Sequence, residues 1–320
     1  VLELPPPLLI LAGCALLYVG GDMLVAASTF IADRIGMSPV AIGATVVAIG
    51  TSAPEFSVSL DAALSNSPDI SVGNVVGSNV CNIILVLGLC AMLGNLKTSR
   101  EIYRVDFPIL IAVSALFTWM INDFVISRIE GFVLLALLAI YVIWNLRRAA
   151  TDEHMEAVLA GEVSEGIAEG NQMAWVKPAL RAAGGVFCLG LGAKCLVDGS
   201  LQTLAPFHLS EEAIGITVVA LGTSVPEIGT SIIAAKKGHG DLAVGNAIGS
   251  SVFNLLGVLG FTATIRPLAA ADVTFMDGAT LMATSLIGLV LVARPSGIGR
   301  LQGALLVATY SVYIVTALLL

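Results

Sequence analysis

Apolar runs of about 20 residues recur from one end of this chain to the other. In lipid a backbone must satisfy its own hydrogen bonds, and a helix does so within one segment, so such runs read as membrane-spanning helices. The composition agrees, with 57% hydrophobic and 12% charged residues in 320. Soluble domains carry roughly twice that charged fraction. A transmembrane β-barrel would alternate apolar and polar residues, a pattern absent here. Ten candidate spans fall roughly at 7–31, 38–64, 70–94, 105–122, 126–146, 178–201, 211–235, 241–264, 273–293 and 300–320. The expected fold class is an all-α polytopic membrane protein of ten transmembrane helices.

Most connections are short, but the stretch 147–177 is long and polar. It holds Asp152, Glu153, Glu156, Glu162, Glu165 and Glu169, much of the formal net charge of -8. It reads as a solvated linker, with a short amphipathic helix around Met155 to Leu159 as the alternative. Charge and composition disfavour nucleic-acid binding. The five cysteines, Cys14, Cys81, Cys90, Cys188 and Cys195, lie in apolar segments with no CxxC pattern, so they read as small packing residues. The first run lacks the basic flank of a cleaved signal and is expected to stay as a span.

Lys and Arg set the orientation. With the N-terminus outside, Arg34, Lys97, Arg100, Arg104, Arg147, Arg148, Lys177, Arg181, Lys236, Lys237, Arg294 and Arg300 all face the cytoplasm. Arg128 and Arg266 fall outside, and Lys194 lies within a span. Both termini are then expected outside and the 147–177 loop in the cytoplasm.

Inside the second span stands Gly50-Thr51-Ser52-Ala53-Pro54-Glu55, a polar phrase foreign to a lipid-facing helix. It returns in the second half of the chain as Gly222-Thr223-Ser224-Val225-Pro226-Glu227. The stretches 38–94 and 210–266 align at this one repeat offset without a gap. Val72-Gly73-Asn74 answers Val244-Gly245-Asn246, Gly77-Ser78 answers Gly249-Ser250, and Asn82 answers Asn254. Five spans separate the copies, an odd number, so they enter the membrane from opposite sides. That is an inverted-topology repeat, a plan common in secondary transporters. The division expected is a five-helix repeat over 1–146, a cytoplasmic linker over 147–177 and a second five-helix repeat over 178–320.

On a helix, Ala48, Thr51, Ser52 and Glu55 share one face, as do Ala220, Thr223, Ser224 and Glu227. Pro54 lacks an amide hydrogen and clashes with the Gly50 carbonyl, so the helix should break there and free carbonyl oxygens. Ser78 with Asn82, and Ser250 with Asn254, add i, i+4 pairs. This all-oxygen set suits Ca²⁺, Na⁺ or K⁺ and not zinc or copper. Two carboxylates balance one Ca²⁺ or two to three Na⁺, while the empty pair is costly to move through the bilayer core. The Gly-x-x-x-Gly patterns at 73–77 and 245–249 read as close-packing surfaces. Asp22 and Lys194 occupy equivalent repeat positions and either gate or snorkel. His154, His208 and His239 are assigned no role.

At these residues the sequence resembles the cation/Ca²⁺ exchanger superfamily. GTSAPE with GSNVCN and GTSVPE with GSSVFN are similar to that family's two repeats, and the likeness is closest to compact prokaryotic sodium/calcium exchangers. The resemblance implies ten helices, a prokaryotic plasma-membrane location and electrogenic exchange of about three Na⁺ for one Ca²⁺. It implies Ca²⁺ ligands at Glu55, Glu227 and the backbone oxygens of Thr51 and Thr223. It places flanking Na⁺ sites at Ala48, Ser52, Ser78, Ala220, Ser224 and Ser250, with Asn82 and Asn254 lining the centre. It also implies that spans one and six slide across the rest.

Some relatives, K⁺-dependent exchangers among them, carry Asp where this chain has Asn254, so Asn argues against K⁺ co-transport. H⁺/Ca²⁺ antiport is the other alternative within the class. An intramembrane protease built on two carboxylates, and a passive channel, are readings from other classes with less in the sequence to support them. No enzymatic activity, cofactor or obligate protein partner is expected; the partners are the ions and the bilayer.

Overall fold

The computed structural model describes residues 5–34, 48–150, 173–207, 209–236, 238 and 240–319. The first helix, α1, spans Pro6–Arg34. A short α2 (Ala48–Thr51) is followed by α3 (Ala53–Leu64). The next span is α4 (Pro68–Val80), a π turn at Cys81–Val86 and α5 (Leu87–Leu93). A second π turn at Ile102–Asp106 leads into α6 (Phe107–Met120), and α7 covers Arg128–Ala150.

The second half opens with α8 (Met173–Leu204). Then come α9 (Glu211–Ile214), a π turn at Gly215–Val219, α10 (Ala220–Thr223) and α11 (Val225–Lys236). A span of α12 (Gly240–Phe253), a π turn at Asn254–Val258 and α13 (Leu259–Ile265) follows. The last helices are α14 (Phe275–Val292) and α15 (Arg300–Leu319).

Among the described residues, eight helices are long and apolar enough to cross a membrane, or nine if the bent pair Glu211–Thr223 and Val225–Lys236 is one span. Of the ten expected spans, the second, 38–64, lies partly outside the described residues; the possible helix at Met155 to Leu159 and the three histidines lie wholly outside them.

Burial sorts the spans into centre and rim. Over an 18-residue stretch of Pro68–Leu93 83% of residues are buried and over one of Gly240–Ile265 72%, against 11% in Arg128–Asn145 and 17% over such a stretch of Arg300–Leu319. The central spans carry the serines and asparagines; the rim spans turn Ile129, Phe132, Ile140, Leu305, Val312 and Val315 outward, as a lipid-facing surface requires. Lipid gives helices no hydrophobic reason to associate, so small residues and polar contacts hold them. Helices α1 and α8 meet this way. A Cβ on Gly20 would stand 2.9 Å from the Gly185 carbonyl oxygen, and one on Gly192 2.9 Å from the Leu17 nitrogen. Gly20 and Gly192 are themselves separated by the repeat offset.

Other contacts recur at the same offset. Ile126 pairs with Leu268 in a two-stranded antiparallel ribbon, β1 (Val125–Ile126) with β2 (Leu268–Ala269), and Leu96 bridges Ile298. Each partner in the second pair stands at the repeat offset from one in the first. The Ser59 hydroxyl donates to the Ser71 carbonyl at 3.1 Å, and the Ser231 hydroxyl to the Ala243 carbonyl at 3.4 Å. Asn74 donates to Ser59 at 2.9 Å, and Asn246 to Ser231 at 3.0 Å. At the head of α7 the Ser127 amide donates to Glu130 at 2.7 Å; at the head of α15 the Gly299 amide donates to Gln302 at 2.7 Å.

The Gly-x-x-x-Gly surfaces differ between the copies. A Cβ on Gly77 would lie 2.6 Å from the Ile216 Cα and 2.7 Å from the Ala220 Cβ, and one on Gly73 3.0 Å from the Glu212 carbonyl oxygen, whereas one on Gly245, the counterpart of Gly73, would meet nothing within 4 Å. Gly77→Ala is expected to lose about 1–3 kcal/mol through a forced backbone shift. Gly245→Ala is expected to be neutral or to gain up to about 1 kcal/mol from helix propensity. Thermal midpoints of the two purified variants check this.

Candidate functional site

The site begins at two broken helices. Ser52, between α2 and α3, has φ -82 and ψ 5, and Ser224, between α10 and α11, has φ -80 and ψ 5. Neither geometry continues an α-helix. The prolines two residues later explain both breaks, because Pro54 and Pro226 cannot donate to the carbonyls of Gly50 and Gly222. The second break bends its span by 48°. Each break also puts a glutamate, Glu55 or Glu227, in the first turn of the helix that restarts. There the positive end of the helix dipole favours a carboxylate, by about 0.3–1 kcal/mol.

Both glutamates are fully buried, as are Ser52, Ser78, Asn82, Thr223, Ser224, Ser250 and Asn254, with Thr51 4% exposed. The halves meet here through side chains. The Ser224 hydroxyl donates to Glu55 Oε1 at 3.2 Å. The hydroxyls of Thr51 and Ser250 lie 3.4 Å apart and those of Ser78 and Thr223 3.3 Å apart, a second pair of contacts related by the repeat offset. The Ala220 carbonyl accepts from Ser78 at 3.4 Å and from Thr223 at 3.1 Å. Ala48 opens α2 one turn before Ser52, and its side chain is outside the described residues. The Glu227 carboxyl has the Thr51 and Ser52 hydroxyls as polar neighbours and lies close enough to Glu55 for their charges to interact.

Several atoms here are buried without a hydrogen-bond partner: Glu55 Oε2, both Glu227 carboxyl oxygens, Ser52 Oγ, both amide atoms of Asn82 and Asn254 Oδ1. A buried unsatisfied polar group costs about 1–3 kcal/mol, and a charged one more. These atoms are mostly oxygen and converge from four helices, the donor set a hard cation takes. No cluster of three His, Cys, Asp or Glu forms among the described residues, so the set combines two carboxylates with hydroxyl, amide and carbonyl groups.

Asn74 belongs to the site as well. Its amide donates to the Glu55 main-chain carbonyl at 3.2 Å, and its Oδ1 accepts from the Thr223 hydroxyl at 3.1 Å. It thereby ties one broken helix to the other. Reading Gly73 to Gly77 as a packing surface passed over it, although Asn74, Ser78 and Asn82 stand four residues apart along one face. Asn79 was also missed; its Oδ1 accepts from Asn254 at 3.4 Å. No local feature such as proline marks the π turns at Cys81–Val86 and Asn254–Val258. They shift the α-helical spacing assumed for Asn82 and Asn254. Asp22 is exposed, while Lys194 pairs with Asp198 at 3.4 Å, away from the carboxylates of the centre.

The chain is similar to known membrane proteins along nearly its whole length. The inner membrane protein YrbG of Escherichia coli K12 is 32% identical, over 96% of this chain and 94% of that protein. The sodium/calcium exchanger MaX1 of Methanosarcina acetivorans is 29% identical, over 96% of this chain and 97% of its own. A solved structure of the sodium-calcium exchanger NCX_Mj, soaked with 100 mM Na⁺ and 10 mM Sr²⁺, superposes with a TM-score of 0.67. It is 32% identical and covers 97% of this chain and 98% of that one. The family described as sodium/calcium exchanger protein matches residues 6–147 and again residues 178–319. With both halves matched, this integral membrane protein belongs to the sodium/calcium exchanger protein family.

Proposed function

We propose that this chain is a secondary active antiporter exchanging about three Na⁺ for one Ca²⁺, electrogenically and by alternating access. The observation that carries the reading is the pair of fully buried glutamates, Glu55 and Glu227, whose carboxyl oxygens are largely unpartnered and face hydroxyls of the opposite half. Ca²⁺ is bound by the two carboxylates and the main-chain oxygens of Thr51 and Thr223. Na⁺ is bound with Ala48, Ser52, Ser78, Ala220, Ser224 and Ser250, and Asn82 and Asn254 line the centre. A pair of negative charges buried without cations is expensive, so the occupied protein crosses between its states and the empty one is held back.

The proposed architecture is ten helices in two inverted repeats, 1–146 and 178–320, joined by a linker over 147–177. Support comes from the hydrogen bonds that recur at the repeat offset and from the two stretches that match one family. Both termini lie outside and the linker in the cytoplasm of a prokaryotic plasma membrane, as the distribution of Lys and Arg supports.

The experiment is ⁴⁵Ca²⁺ uptake into Na⁺-loaded proteoliposomes diluted into Na⁺-free buffer, against choline-loaded controls. Uptake should require internal Na⁺ and ignore external K⁺. One inward Ca²⁺ against three outward Na⁺ moves one positive charge out, so an inside-positive potential should accelerate it. Uptake driven by a pH gradient without Na⁺ would reassign the driving ion. Glu55→Gln and Glu227→Gln should each abolish flux in folded protein, since losing one charged partner of a buried ion costs about 3–5 kcal/mol, or roughly 10² to 4 × 10³-fold in affinity. Asn74→Ala should weaken Ca²⁺-dependent uptake by about 10–100-fold, as loss of a group that orients ligands does. A half-saturating Ca²⁺ concentration unchanged from the parent would count against its role.

A further inference from the structure

A second group of carboxyl side chains gathers at one end of the bundle, where the α3–α4 turn approaches the stretch from Arg266 to Asp277. Glu212, in the first turn of α9, and Asp277, in the first turn of α14, meet carboxyl to carboxyl and are both half-buried. Asp69 and Asp272 add their negative charge to Glu212. Several oxygens of this group have partners. Asp69 Oδ1 accepts from the Asp272 amide at 2.8 Å and Glu211 Oε1 from the Ser67 hydroxyl at 3.2 Å. Asp277 Oδ2 accepts from the Thr274 amide at 2.8 Å and its hydroxyl at 2.9 Å, a capping box. Arg266, at the same end, is held by the Leu64 carbonyl at 3.0 Å and by Asn66.

On α15 stands the Tyr313 hydroxyl. It is buried, has no hydrogen-bond partner, and has Asp277 and Glu212 as its strongest charged neighbours. Asp69 is repeated as Asp241 in the second half, but the carboxylates around it are not. The positions that answer Glu212, Asp272 and Asp277 in the first half are Val40, Arg100 and Val105. Two carboxyl groups in contact cannot both stay ionised unless a positive charge joins them. All available atoms are oxygens, which select a hard cation, and two to four nearby negative charges favour a divalent one. The capping box engages only Oδ2 of Asp277. Partial exposure admits the waters that a coordination number of about 6–8 needs.

We propose that Glu212, Asp277 and the Tyr313 hydroxyl form a peripheral site for a hard divalent cation of the Ca²⁺ class, separate from Glu55 and Glu227. Tb³⁺, whose emission is excited through a neighbouring tyrosine, is the probe, and the full chain carrying Glu55→Gln and Glu227→Gln removes the central carboxylates. Saturable emission is expected, displaced by Ca²⁺ at about 10⁻⁴–10⁻³ M, the range of open, water-completed sites. It should fall at least about tenfold when Glu212→Gln is added. Emission unaltered by Glu212→Gln, or no saturable emission at neutral pH, would overturn the site and leave a shared proton between the carboxyls. Should the triple variant fail to fold, calorimetric Ca²⁺ titration of the unsubstituted chain serves instead. Glu212→Gln is then expected to remove one weak class of sites and leave the tighter class, and an unchanged titration would overturn the proposal. Because this readout needs no transport, it stands apart from failure of the antiport reading.

Discussion

Everything in this bundle is arranged around two carboxyl groups that water does not reach. A buried carboxylate is tolerated only with compensating charge or hydrogen bonds, and Glu55 and Glu227 have little of either from the protein alone. The central spans answer that constraint. They replace leucine with serine, threonine and asparagine, bend at proline to expose backbone, and hold their hydroxyls in pairs across the halves. The rim spans turn mostly apolar side chains outward. The cost of leaving the glutamates unpaired is the physical basis for reading the centre as a cation site.

The outline of this fold is legible in the sequence because its strongest signals are long. Eight helices and the bent pair fall on nine of the apolar runs, since a run of about 20 residues leaves few alternatives in lipid. The breaks at Ser52 and Ser224 are legible too, because proline removes a donor wherever it sits. Spacing on a helix face groups Thr51, Ser52 and Glu55, and likewise Thr223, Ser224 and Glu227, while their meeting across the halves depends on packing. What escaped was of another kind. Asn74 was hidden between two glycines whose packing role was easier to see. The π turns at Cys81–Val86 and Asn254–Val258 have no proline to mark them. The Glu212 and Asp277 pair joins elements with two spans of chain between them, and nothing local announces that they meet.

The two halves are alike in backbone contacts and unlike in side chains at their ends. Gly73 packs against the Glu212 carbonyl, while its counterpart Gly245 has open space. Carboxylates collect around Glu212 where the other half carries Val40, Arg100 and Val105 at the corresponding positions. Likeness is concentrated at the buried centre, where the geometry of oxygen atoms is demanding. Difference is concentrated at the two faces, which meet different solutions if the bundle crosses a membrane in the orientation proposed.

Asn74 has a thermodynamic consequence. One amide group bonds the carbonyl of Glu55 in the first half and the hydroxyl of Thr223 in the second. A ligand that draws on either helix must change the free energy of the same amide, and so the affinity for a ligand on the other. Such linkage is reciprocal by necessity. Occupancies on the two sides of the centre are therefore coupled through a neutral side chain that does not itself need to touch an ion.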